Sequence, residues 1–73
     1  MILTDSGPLI AITDEDDSHH RVTIQALRSL PSEHLLTTMP GFTEAMYLLH
    51  RLSGHQGQTA LWEFYESGWL LLH

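Results

Sequence analysis

Apolar positions along the chain follow two rhythms, short runs of strand length and longer stretches in which they return every third or fourth residue. Ile2-Leu3-Thr4 is the first short run and reads as a strand. The Asp5-Ser6-Gly7-Pro8 that follows has the composition of a tight strand-to-helix turn, with Pro suited to a helix start, and Leu9 to Thr13 supplies one or two helical turns. Asp14-Glu15-Asp16-Asp17-Ser18 is an acidic loop whose Asp17 or Ser18 can cap a helix from His19 to Leu30. Val22, Ala26 and Leu30, with Leu27 beside them, predict its inner face, while Arg21, Gln25 and Arg28 stay outside.

Pro31-Ser32-Glu33-His34 breaks that pattern, and Leu35-Leu36-Thr37-Thr38 reads as a second, buried strand. Pro40 opens another helix, striped by Phe42, Ala45, Met46, Leu49 and Leu52 and stopped by Ser53-Gly54. A further helix is predicted from about Gln56 to Ser67, with Ala60, Leu61, Phe64 and Tyr65 inward and Gly68 as its stop. Trp69 to His73 is the third strand.

Strands alternating with helices imply an α/β layer structure, a parallel three-stranded sheet with helices on its faces. Parallel sheets need cover on both faces. A chain of 73 residues buries only about 60% of its unfolded surface, and this one has no cysteine to staple it. The elements therefore describe an incomplete domain. Residues 1–73 are expected to be the amino-terminal part of one domain, its open sheet edge buried in an oligomer.

Composition narrows the chemistry. Nine acidic residues against three arginines and no lysine give a formal net charge of −6, so broad binding of a nucleic-acid backbone by counterion release is excluded. Action on RNA or DNA would need a metal, or basic residues elsewhere. The longest apolar run, Trp69-Leu70-Leu71-Leu72, is far short of the roughly 20 residues that span a bilayer. With no basic region at the amino end, a cytoplasmic protein is expected.

Ligands of open α/β sheets collect beyond the carboxyl ends of the strands. Asp5 stands at that end of the first strand, and Glu44, early in the helix after the second strand, reaches the same edge. Glu44 sits off the Phe42/Ala45/Leu49 stripe, on the flank shared with Leu48, where it can face a cleft. Hard oxygen donors of this kind suit Mg²⁺ or Mn²⁺, which serve phosphodiester hydrolysis. Each acid also has a structural reading: Asp5 as a turn-former or helix cap, Glu44 as an acid favoured by the helix dipole. Ser6 either positions a metal-bound water or substrate, or closes the turn.

Ile2-Leu3-Thr4-Asp5-Ser6-Gly7-Pro8-Leu9-Ile10-Ala11, the acidic loop running into His19-His20-Arg21, then Leu36-Thr37-Thr38 and Thr43-Glu44-Ala45-Met46-Tyr47-Leu48-Leu49, resemble the amino-terminal half of a PIN-domain protein, of the kind found as VapC-type toxins in prokaryotic toxin–antitoxin pairs. The resemblance implies a three-layer PIN-like α/β fold and a metal-dependent endoribonuclease, with Asp5 and Glu44 as catalytic metal ligands. It also implies Mg²⁺ or Mn²⁺ as cofactor, RNA as substrate, a cognate antitoxin and a homodimer.

Members of that family carry further acidic ligands in a carboxy-terminal half, and this sequence does not supply them. The Asp14 to Asp17 run reads as a solvated cap, and it fails as an EF-hand because His19 and Gln25 stand where Gly and the bidentate Glu belong. The chain alone is expected to be inactive. The alternative reading is a catalytically inactive truncated PIN domain serving as a dimerisation or antitoxin-binding module. The six histidines show no metal-ligand spacing and read as surface or capping residues. Trp62, Phe64, Tyr65 and Trp69 read as core in preference to a platform for stacked bases.

Overall fold

The computed structural model describes residues 2–30 and 34–73. Its elements run β1 (Ile2–Leu3), α1 (Ser6–Thr13), α2 (His20–Arg28), β2 (Leu35–Thr37), α3 (Met39–Glu66) and β3 (Leu70–Leu72). The strands form one parallel sheet in the order β1-β2-β3, the α/β arrangement that the alternating rhythm predicts. Of the expected break before β2, Pro31, Ser32 and Glu33 lie outside the described residues.

Register decides which leucines make the core. Ile2, Leu35 and Leu70 stand in one row across the sheet, and Leu3, Leu36 and Leu71 in the next. Successive side chains alternate faces, so the first row faces the helices and the second faces away. Leu35 and Leu70 are buried, whereas Leu3 is 71% exposed and Leu71 36%. Among the described residues the second face is therefore the more open of the two, as suits an incomplete layer structure. Both crossovers step the same way across the sheet, and crossovers of one hand stepping one way put their helices on one face. The second face is covered only where strand order reverses.

On the covered face, Leu9 and Ile10 of α1 pack with Leu35, Leu70 and the Phe42, Ala45, Leu49 and Leu61 of α3. α3 is not one straight rod. Phe42 and Trp62 would be about 30 Å apart on a continuous helix at 1.5 Å per residue, yet their ring centroids are 5.3 Å apart. The fold-back is at Gly54, whose φ of 64° and ψ of −145° belong to a region essentially reserved for glycine. Gln58 Nε2 donates to the Met46 carbonyl at 3.2 Å across the resulting hairpin. The predicted helix stop at Ser53-Gly54 is therefore a reversal between residues 39–53 and 55–66. Leu52, expected in the stripe, lies beside the reversal and is 63% exposed.

α2 departs from its predicted phase. Val22 is 67% exposed, and Ala26 and Leu30 are also exposed; the side turned inward carries His20, Thr23, Ile24 and Leu27. On that side His20 Nδ1 lies 2.7 Å from the Ala11 carbonyl of α1, and Leu27 packs against the core. The aromatic residues divide as well: Phe64 and Tyr65 are half-buried as expected, but Trp62 and Trp69 are exposed. Trp62 caps the hairpin edge-on against Phe42 and Tyr65.

Candidate active site

The carboxyl edge of the sheet is where β1 hands over to α1 and β2 to α3. Asp5 leaves β1 in an extended conformation and becomes the N-cap of α1, its Oδ1 accepting from the Ser6 backbone N–H at 2.8 Å. The capping interpretation of Asp5 is therefore realised in the fold. One oxygen suffices for the cap, and the side chain remains exposed. Ser6 is buried, and the bond it makes to Asp5 comes from its backbone.

β2 ends in the same way. Thr38 is the N-cap of α3, its hydroxyl accepting from the Gly41 N–H at 3.1 Å, with Pro40 in the first turn. The two helix starts meet at Gly41. A methyl group on Gly41 would lie 2.9 Å from Thr37 Oγ1, 3.2 Å from Thr38 Oγ1 and 3.9 Å from Asp5 Oδ1. A side chain there would press on the Thr37 and Thr38 hydroxyls, while Asp5 Oδ1 would stay at ordinary contact distance.

Glu44 is one turn further along the same helix, and it is exposed. Residues three apart share a helix face with Cβ atoms about 5–6 Å apart, and each Cα–Cβ bond leans toward the helix amino end. Glu44 consequently leans back toward Gly41, the point that Asp5 approaches from β1. Phe42, Ala45 and Leu49 are buried on the adjoining face, which anchors the helix that bears Glu44. The donor set of two open carboxylates suits a hard cation that keeps several waters. Among the described residues, no group of three or more His, Cys, Asp or Glu side chains is gathered as a metal cage.

Among the described residues, the acidic loop between α1 and α2 is engaged with itself. Asp14 and Asp17 turn their carboxylates onto the backbone N–H groups of Asp16 and His19, and His19 Nδ1 is 3.7 Å from Asp17 Oδ1. This loop is self-satisfied and solvated. Sequence reasoning missed Thr37 and Gly41 as members of the site. The available signal was a threonine in a strand otherwise made of leucine, followed four residues later by a glycine inside a helix.

No family model matches the chain, and no curated protein sequence does. By structure it is similar to the crystal structure of Mycobacterium tuberculosis VapC20, a Sarcin-Ricin loop cleaving toxin, with a TM-score of 0.81 at 19% identity. The match covers 100% of this chain and 55% of the other. The chain thus has a PIN-like α/β fold and spans about half the length of that relative.

Proposed function

We propose that this chain is the amino-terminal part of a PIN-type endoribonuclease, a toxin of a toxin–antitoxin pair, in which Asp5 and Glu44 supply two of the carboxylates that hold Mg²⁺ or Mn²⁺. The observation that supports this best is the approach of the Asp5 carboxylate to the amino-terminal turn of α3, one turn from Glu44, on a fold shared with a Sarcin-Ricin loop cleaving toxin. The bound cation would activate water and neutralise phosphate charge.

The chain's own residues set the terms for this. Asp5 is held by the Ser6 N–H, so one carboxylate oxygen is fixed and the other is free to ligate. Glu44 is exposed at the same edge, one turn into α3, where its carboxylate is open to a cation. The net charge of −6 repels an RNA backbone, so productive approach depends on the cation and on basic residues contributed by the rest of the protein. The remaining carboxylates, the RNA target and the antitoxin contacts likewise belong to the remainder of the protein or to partners.

The test is Asp5→Asn in the full-length protein. Asparagine keeps the oxygen that caps α1, so unfolding free energy should stay within about 0.5 kcal/mol of the parent while RNA cleavage is abolished. Retained cleavage overturns the assignment. The uncovered row of Leu3, Leu36 and Leu71 favours a second reading, a dimerisation or antitoxin-binding module without catalysis. That reading requires a stability that rises with protein concentration or added partner and ignores Mn²⁺.

A further inference from the structure

Thr37 closes β2 on the covered face of the sheet, in the company of Leu35, Leu70 and Leu72. It is 0% exposed, and among the described residues its Oγ1 has no hydrogen-bond partner. A buried hydroxyl left unpaired is destabilising. Valine has nearly the same shape without that penalty, so packing alone favours valine here. An orphaned polar group in a native fold calls for a role.

Its surroundings supply one. Thr37 Oγ1 faces the open side of Gly41, as do Thr38 Oγ1 and Asp5 Oδ1. Thr38 Oγ1 accepts from the Gly41 N–H, and Thr38 is exposed, so water can take its own O–H. Asp5 accepts one bond from Ser6, and a carboxylate has room for several more. The buried donor without a partner and the under-used acceptor thus both lie within 4 Å of the position that a methyl group on Gly41 would take.

We propose that Thr37 is a positioning residue for the metal-binding carboxylate. Its hydroxyl donates to Asp5 Oδ1, the oxygen that also caps α1, when the cation is bound, leaving the other carboxylate oxygen to face the ion, and Gly41 keeps the path between the two open. Donors behind a ligating carboxylate orient it and raise affinity. This inference rests on the reading of Asp5 as a ligand, and the experiment separates the two.

The measurement is Mn²⁺ affinity of the full-length protein, followed by the electron paramagnetic resonance of free Mn²⁺, together with the thermal midpoint in metal-free buffer. Thr37→Val should weaken Mn²⁺ binding by about 10- to 100-fold and at the same time raise the metal-free midpoint, because the orphaned hydroxyl is gone. Thr37→Ser should restore the affinity. Gly41→Ala should lose affinity with Thr37 intact. A hydroxyl with a merely structural role gives a different result: Thr37→Val then binds Mn²⁺ like the parent while Asp5→Asn does not, which overturns the proposal and leaves the site standing. If Asp5→Asn itself binds Mn²⁺ like the parent, the ligand reading fails and the proposal falls with it. Should Thr37→Val not fold, Thr37→Ala makes the same comparison without a β-branched side chain, and parental affinity in that variant equally overturns the proposal.

Discussion

Helices α1 and α2 are neighbours in sequence and in space, yet α1 buries Ser6, Leu9, Ile10 and Ala11 whereas α2 buries no residue fully. The difference follows from where each lies over the sheet. α1 is wedged against α3, with Leu9 and Ile10 entering the same core as Phe42, Ala45 and Leu49. α2 lies outside it, and with Leu35, Phe64 and Trp69 its Ile24 and Leu27 line an open apolar cavity of about 410 Å³. That cavity is at the amino ends of β2 and β3, while the acids are at the carboxyl edge. The rigid side of the molecule thus holds Asp5 and Glu44, and the weakly packed side is spatially separate from them. Such a division suits a site whose carboxylates must stay in place while other surfaces exchange partners.

The largest expected effect breaks the rigid side. Leu49→Ala removes a fully buried side chain at the centre of the α1/α3 contact, and should cost about 2–5 kcal/mol in urea unfolding of the full-length protein. An effect below about 1 kcal/mol would mean that α3 is not the pillar of this core. A smaller loss is expected at the hairpin reversal. Gly54→Ala places a side chain at φ 64° and should cost about 1–3 kcal/mol, since that conformation is strained for any residue with a Cβ. No heavy atom lies within 4 Å of the would-be methyl group, so backbone strain is the only source of the penalty. An unchanged midpoint would show that residues 39–66 can run on as one helix.

These two sites also mark what could be read from the sequence. The Phe42/Ala45/Leu49 stripe was legible because its apolar residues fall on one face without competition, and the glycine that interrupts the periodicity announced the end of the helix. What periodicity could not show is that the chain folds back there, because reversal depends on contacts such as Gln58 with Met46 and Phe42 with Trp62, which join residues 12 and 20 positions apart. Asp5 and Glu44 were legible as acids at one edge from strand and helix order alone. Thr37 and Gly41 left only a faint signal, a threonine among leucines and a glycine inside a helix, because an unmade hydrogen bond is not written in a pattern of polar and apolar letters. The uncovered sheet face escaped for a topological reason: which face helices cover is set by the order of strands, and the short apolar runs of the three strands are the same for either order.

The smallest effect is the most diagnostic of the contrast between α1 and α2. By apolar spacing Val22 belongs to the buried face of α2, but it is 67% exposed, and His20 on the inward side meets the Ala11 carbonyl. Val22→Lys discriminates between these phases. If Val22 were packed inward, a buried unpaired ammonium would cost several kcal/mol. At an exposed position the same substitution loses little contact, replaces a β-branched residue by a better helix former, and adds a cation to a chain with net charge −6. The expected outcome is therefore a change within about 0.5 kcal/mol, on the stabilising side, in urea unfolding. His20→Ala is its counterpart: with the anchor removed α2 is free to turn, so a Val22→Lys substitution that is neutral alone should become costly in the double variant. Additivity of the two would show that the phase of α2 is held by Thr23, Ile24 and Leu27 without help from the histidine.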